Sequence, residues 1–196
     1  MARRLTLITP RLRLRPPRAA DAARIAELTS DWDVARMTTR IPHPNPPAEA
    51  RRFVRSVHEQ GRDVFAIETA SDGLIGVIGV EDGALGYWLG RAWHGQGRGS
   101  EAVAAMLVHA FGALGAEAVR ASVFADNPAS MRILQKMGFR ECGVSSSLSR
   151  ARGVEVVHRD YRLERGRWAA ARSGGARAAA ARLRAAEAEA EGQAAS

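Results

Sequence analysis

A chain of 196 residues lies at the upper edge of one ordinary domain and is short for two. With 46% hydrophobic and 26% charged residues it can bury a sizeable core, which excludes wholesale disorder. No apolar run approaches the ~20 residues that cross a bilayer, and the first residues lack a signal-type apolar stretch, so a soluble cytoplasmic protein with no membrane partner is expected. The single cysteine, Cys142, excludes an internal disulfide and a thiolate metal site, and it reads as a small core or strand residue. The net charge is +8, and Lys136 is the only lysine among 29 basic residues. Arginine in place of lysine, beside abundant alanine, reflects a GC-rich genome more than a binding surface. The charge is therefore weak evidence for a nucleic-acid partner.

Residues 5–15 alternate loosely and predict a strand that ends at Pro16-Pro17. Asp21 can cap a short helix carrying Ile25 and Leu28 on one face. Four prolines between Thr38 and Pro47 predict a loop, followed by a helix from about Ala48 to Gly61. From Val64 the period changes to two. Runs 64–69, 74–80 and 84–89, separated by Asp72-Gly73 and Asp82-Gly83, predict an antiparallel meander.

A glycine-rich turn at 95–99 then opens the clearest helix. Val103, Met106, Leu107, Ala110, Phe111 and Leu114 form one stripe, and Gly115 is the expected stop. A strand over 118–124 precedes Asn127-Pro128, which fits an N-cap followed by proline in the first turn. That helix buries Ile133, Leu134 and Met137 and ends at Gly138. Segments 139–142 and 156–163 read as closing strands joined by a serine- and arginine-rich loop. The result is an α+β (mixed α/β) domain over residues 1–164. Beyond it, 165–196 hold 14 alanines, six arginines and three glutamates, with Trp168 and Leu183 as the large apolar groups, and read as a frayed helix or disordered tail.

The informative segment is His94-Gly95-Gln96-Gly97-Arg98-Gly99-Ser100-Glu101-Ala102. Alternate glycines remove the Cβ atoms that keep a ligand from the backbone. The first amides of the following helix lack intrahelical partners at the positive end of the dipole, an arrangement that binds phosphate. Arg98 can add a charge-assisted contact. A P-loop is excluded because no lysine follows the glycines. A dinucleotide fingerprint is excluded because antiparallel hairpins, not a βαβ unit, precede the turn. On the residues alone, a tight structural connection stays open.

Gly95 to Ala102, preceded by Gly86-Tyr87-Trp88-Leu89, resembles the acyl-CoA motif of the GNAT superfamily of N-acetyltransferases. Asn127-Pro128-Ala129-Ser130, with Gln135-Lys136-Met137-Gly138-Phe139, is similar to its second motif. Thr9-Pro10-Arg11-Leu12-Arg13-Leu14-Arg15 resembles the opening of the ribosomal-protein N-terminal acetyltransferase branch (RimJ/RimL-like). The likeness runs over about residues 8–164. It implies a mostly antiparallel seven-stranded sheet flanked by about four helices and splayed between the fourth and fifth strands, 84–89 and 118–124. Acetyl-CoA would enter that opening as co-substrate, its pantetheine pairing with the Tyr87, Trp88 and Leu89 backbone. Its pyrophosphate would lie on the amides of Gly95, Gln96, Gly97, Arg98, Gly99 and Ser100. His94 stands where many relatives carry glutamine, arginine or tryptophan.

Acetyl transfer needs a neutral amine, an acceptor for its proton and a donor for the departing thiolate. The tyrosine that many superfamily members carry seven residues after the motif asparagine is here Leu134. The resemblance to the ribosomal-protein branch, where a serine sits near the sulfur, implies Ser130 as a hydrogen-bond donor to the thiolate; on its residues alone it is simply a first-turn helix residue. Asn127 reads as an N-cap, a CoA contact or both. Glu101 is a candidate base or a dipole-stabilising acid. Glu155 and His158 either reach the acceptor side or sit in a solvated loop. Trp32, Asp33 and His43, with the proline loop, are placed to line the acceptor mouth. His43, His58 and His109 lack metal-ligand spacing, so no metal is expected. The expected activity is acetyl transfer to a primary amine, a protein N-terminus (a ribosomal protein among them) or a small amine, by direct attack in a ternary complex. The alternative is a non-catalytic acyl-CoA-binding module, ribosome- or RNA-associated through the arginine-rich tail.

Overall fold

The structure is a computed structural model that describes residues 5–171. Its strands are β1 (Leu7–Ile8), β2 (Arg13–Arg15), β3 (Asp63–Thr69), β4 (Gly73–Glu81), β5 (Ala84–Leu89), β6 (Ala118–Phe124), β7 (Arg140–Ser149) and β8 (Val154–Glu164). Its helices are α1 (Asp21–Thr29), α2 (Trp32–Ala35), α3 (Pro47–Glu59), α4 (Arg98–Gly112) and α5 (Pro128–Lys136), and residues 165–171 are also helical. The eight strands form one sheet in the order β1-β2-β3-β4-β5-β6-β8-β7, in which only the β5–β6 contact is parallel.

Period-two patterning divides the core between the two faces. On β3, Val64 and Ala66 face α1 and α3, whereas Phe65 and Ile67 face the cluster built by α4. The α4 stripe of Val103, Met106, Leu107 and Ala110 is fully buried there. Removing that much apolar surface from water is the main stabilising contribution to the sheet–helix sandwich.

Three expectations change in the structure. The predicted first strand is two pieces, making eight strands instead of seven. Pro10 has no amide to donate, and the chain turns at Thr9–Leu12, where the Thr9 N–H donates to the Leu12 carbonyl at 2.9 Å. Asp21 is the first residue of α1 and not its cap. Its carboxylate accepts from the buried Arg15 guanidinium (2.6 and 2.9 Å) and from the Arg18 amide (2.6 Å). The serine-rich loop is mostly strand: β7 and β8 pair from Arg140–Arg162 to Ser149–Val154 around a turn at 150–153. An edge strand needs no apolar alternation, because most of its side chains face water.

The β7–β8 turn is tied across the molecule to the segment after α2. Arg150 N–H donates to the Thr39 carbonyl at 3.0 Å, and Arg152 Nε donates to the Arg36 carbonyl at 2.7 Å. At the other end, Trp168 stacks on Phe111 with centroids 6.2 Å apart. The start of the predicted tail thus rests on the core; residues 172–196 lie outside the described residues. Among the described residues no helix is long and apolar enough to cross a membrane.

Candidate active site

Strands β5 and β6 pair at a single register point, Ala84 with Arg120, where the Arg120 N–H donates to the Gly83 carbonyl at 2.7 Å. Beyond it they diverge. These are the fourth and fifth strands of the sequence reading, and their splay opens the sheet. Two cavities occupy the opening. One, of about 680 Å³, is lined by Asp33, Arg91, His94, Gly95, Gly97, Gly99, Ser100, Pro128, Arg132 and Lys136 among others. The second, of about 460 Å³, is lined by residues of α1, the 37–45 segment, α3 and strands β3 to β6, together with His158. Both touch Met37, Thr38, Tyr87, Trp88, Asn127 and Ser130, so they meet there.

The first cavity is made largely of backbone. Gly97 is the N-cap of α4 and adopts the left-handed conformation at φ 75°, which a β-branched residue resists. The first turn closes with Glu101 N–H on the Gly97 carbonyl at 3.1 Å, leaving the amides of Arg98, Gly99 and Ser100 without intrahelical acceptors. At Gly99 a Cβ would meet Ile133 Cδ1 at 3.1 Å, so this glycine also lets α4 approach α5. The unpaired amides, the dipole and the glycine cradle fit a diphosphate. Arg132 and Lys136, one helical turn apart on α5, add positive charge from the facing wall. Neither forms a salt bridge among the described residues. Their spacing of four was visible in the sequence, but nothing there showed which wall they face.

The side chains of the turn go elsewhere. Arg98 lies 3.6 Å from Asp72 in the β3–β4 turn, and Gln96 Nε2 donates to the Ala92 carbonyl at 2.7 Å. Neither residue lines the cavity, so what they can offer a ligand is backbone. On the β5 edge, His94 Nε2 bonds the Leu89 carbonyl at 2.8 Å, occupying one acceptor of the strand that pantetheine would follow.

At the meeting point, the Tyr87 hydroxyl and Ser130 Oγ are 2.9 Å apart. Asn127 caps α5 by accepting the Ser130 N–H at 3.1 Å, which fixes the start of the helix and with it the serine. Burial pushes the Tyr87 phenol above its ordinary range, only partly offset by the Ser130 bond, so it stays protonated at neutral pH. The sequence reading used Tyr87 for its backbone alone. A contact spanning 43 residues left no signal in the motif that contains it.

The remaining candidates scatter. Glu101 accepts from Thr9 Oγ1 (2.6 Å), the Arg11 amide (2.9 Å) and Arg11 Nε (2.6 Å). Burial pushes this carboxyl up, but those donors outweigh it and hold it below the usual range. It lines neither cavity and ties the chain start to α4. Glu155 is exposed on β8, accepts from Ser146 Oγ at 3.3 Å and is also absent from both linings. Asp33 belongs to the glycine-turn cavity, paired with Arg36 and Arg91. Trp32 and His43 pack edge-on against each other at 5.1 Å, outside both linings. His158 is buried in the second cavity and is not part of a loop. Cys142 is exposed on β7. No group of three or more His, Cys, Asp or Glu side chains among the described residues could hold a metal.

Comparison with known proteins agrees with this geometry. Residues 11–140 match the acetyltransferase (GNAT) domain family. The chain is 28% identical over 160 residues to an uncharacterized N-acetyltransferase, p20, of Bacillus licheniformis, covering 76% of this chain and 89% of that protein. A GNAT-family acetyltransferase from Bacillus anthracis superposes with a TM-score of 0.72 at 21% identity, covering 83% of this chain and 99% of that one. RimL, a ribosomal L7/L12 alpha-N-protein acetyltransferase in complex with coenzyme A, superposes with a TM-score of 0.68 at 19% identity, covering 82% and 98%. With the family model spanning residues 11–140, more than half of the chain, the chain belongs to the GNAT acetyltransferases, enzymes that move the acetyl group of acetyl-CoA to an amine.

Proposed function

We propose that the transfer is direct, in a ternary complex, with acetyl-CoA in the glycine-turn cavity and the amine in the second. One observation carries this reading: the two cavities share the residues Tyr87, Trp88, Asn127 and Ser130 in their linings. Bound there, acetyl-CoA supplies an electrophilic carbonyl carbon and a thiolate leaving group. Gly95, Gly97, Gly99 and Ser100 line the place for its pyrophosphate, and Arg132 and Lys136 face it across the cleft. The Tyr87, Trp88 and Leu89 backbone offers the strand edge, and Asn127 holds the α5 terminus.

Ser130 is the hydrogen-bond donor at the thiolate position. An isolated serine is a poor acid, but this one is bonded to a phenol that remains protonated. A proton given by Ser130 is replaced from Tyr87, so the pair donates as one unit. The acceptor is a primary amine, a protein amino terminus or a small amine. An amino-terminal amine has an ordinary pKa of ~8 and is partly neutral near pH 7. The likeness to RimL, named for ribosomal L7/L12, makes ribosomal-protein N-termini the first peptides to try.

Calorimetry with acetyl-CoA, followed by free-thiol release across N-terminal peptides and polyamines, tests the reading. Saturable binding with thiol release from one acceptor class is expected. Binding without release over the panel would favour a non-catalytic acyl-CoA module and overturn the ternary-complex reading.

A further inference from the structure

His158 stands on β8 opposite Phe124 of β6, is 5% exposed, and lines the amine cavity. Its Nε2 is 2.9 Å from Ser147 Oγ on β7, and its ring meets the Phe124 ring edge-on with centroids 4.7 Å apart. Its Nδ1 is buried with no hydrogen-bond partner among the described residues. A buried N–H without an acceptor is rarer than a buried lone pair without a donor. The ring proton therefore belongs on Nε2, donated to Ser147, and Nδ1 keeps its lone pair. The cavity proposed for the amine is thus lined by a fixed imidazole whose basic nitrogen has no partner among the described residues.

The charged groups around it do not compete for that task. Asp160, two residues along β8, has its Oδ1 held by the hydroxyls of Ser122 (2.6 Å) and Ser145 (3.0 Å). Arg152 lies 4.9 Å from the Phe124 ring and is paired with Asp126. Glu49 and Glu81 line the same cavity. Arg52 and Arg150 hold the first below the usual carboxylate range, and Arg62 and Arg40 hold the second there. Burial lowers the His158 pKa from its ordinary value against the pull of Asp160, which keeps the ring neutral at pH 7.

We infer that His158 Nδ1 is the general base that takes the proton of the incoming amine, directly or through one water; this rests on the ternary-complex reading above. The N–C bond forms as the C–S bond breaks. The surplus proton on nitrogen passes to Nδ1, and the sulfur takes its proton from the Ser130–Tyr87 pair. Solvent then carries a proton from the imidazolium back to that pair.

Nitrogen-15 NMR of the histidine-labelled full chain, with His158→Gln for assignment, reads the tautomer without any acceptor. A neutral ring protonated at Nε2 at pH 7 is expected; a proton on Nδ1, or an imidazolium at pH 7, overturns the assignment. With the amine found by thiol release, His158→Gln should lower kcat about 100-fold. Acetyl-CoA affinity should stay within about twofold, and the loss should shrink as pH falls and the wild-type imidazole itself takes up a proton. Unchanged turnover, or a loss independent of pH, would remove His158 as the base. Absence of acetyl-CoA binding in wild type and variant alike would instead strike the ternary-complex reading and leave the tautomer result standing.

Discussion

On the coenzyme side of the β5–β6 opening, the expected contacts come chiefly from two stretches of chain, 87–100 and 127–136, and much of what they offer is backbone. On the side proposed for the amine, the lining is drawn from α1, the 37–45 segment, α3, four strands, α5 and β8. A diphosphate is one shape, suited to the unpaired amides of a helix N-terminus that a glycine turn leaves open to approach. An amine acceptor can take many shapes, and side chains are the part of the protein that varies to meet them. Substitutions on the coenzyme side should therefore change affinity, and those at the junction should change turnover.

The largest expected effect lies at the junction. Ser130→Ala and Tyr87→Phe should each lower kcat about 100-fold, the lower end of what a positioned acid contributes. Because the two hydroxyls act as one donor, the double variant should lose little more than either single one. Steady-state kinetics alongside acetyl-CoA calorimetry checks this. Multiplied losses would show that the hydroxyls act separately, and an unchanged Tyr87→Phe would reduce Tyr87 to a wall of the cleft.

A smaller effect is expected at the turn. Gly97→Val forces a β-branched residue to φ 75°, and left-handed backbone costs roughly 1–2 kcal/mol with a side chain present. A Cβ there would sit 3.4 Å from Arg11 Nη2, which is ordinary contact, so strain and not bulk in the cleft is the cause. Acetyl-CoA affinity should fall about tenfold while kcat at saturation holds. Equal affinity in calorimetry would remove the turn from the coenzyme site.

This contrast also governs how much could be read in advance. The meander, the α4 stripe and the glycine turn are local patterns in which a period or a positive φ dictates residue type. They carried the fold and the glycine turn that lines one cavity. Tyr87 beside Ser130 and His158 beside Phe124 depend on strand register between distant segments. His158 was further obscured because residues 143–153, serine-rich and solvent-facing, lack the alternation that marks a strand. Arg98 was read as a phosphate ligand because its position in the motif is right. Only the fold shows its side chain turned towards Asp72.

Glu101 lies in the glycine-turn motif yet serves neither cavity, and it sets the smallest expected effect. Its carboxylate joins the Thr9 hydroxyl and two Arg11 donors to the first turn of α4, so Glu101→Gln should leave kcat at saturating acetyl-CoA within about twofold. Stability should fall by about 1–2 kcal/mol, the scale of hydrogen bonds to a charged group. The folded carboxyl titrates below its unfolded value, so its contribution is complete above the unfolded pKa and is lost as pH falls through the folded one. The Tm difference between wild type and Glu101→Gln should therefore be full at pH 7 and close as the pH drops below about 4. A tenfold fall in kcat with unchanged acetyl-CoA affinity would make Glu101 a base after all and displace His158 from that role. A Tm difference that persists at low pH would mean that shape, not charge, ties the chain start to α4.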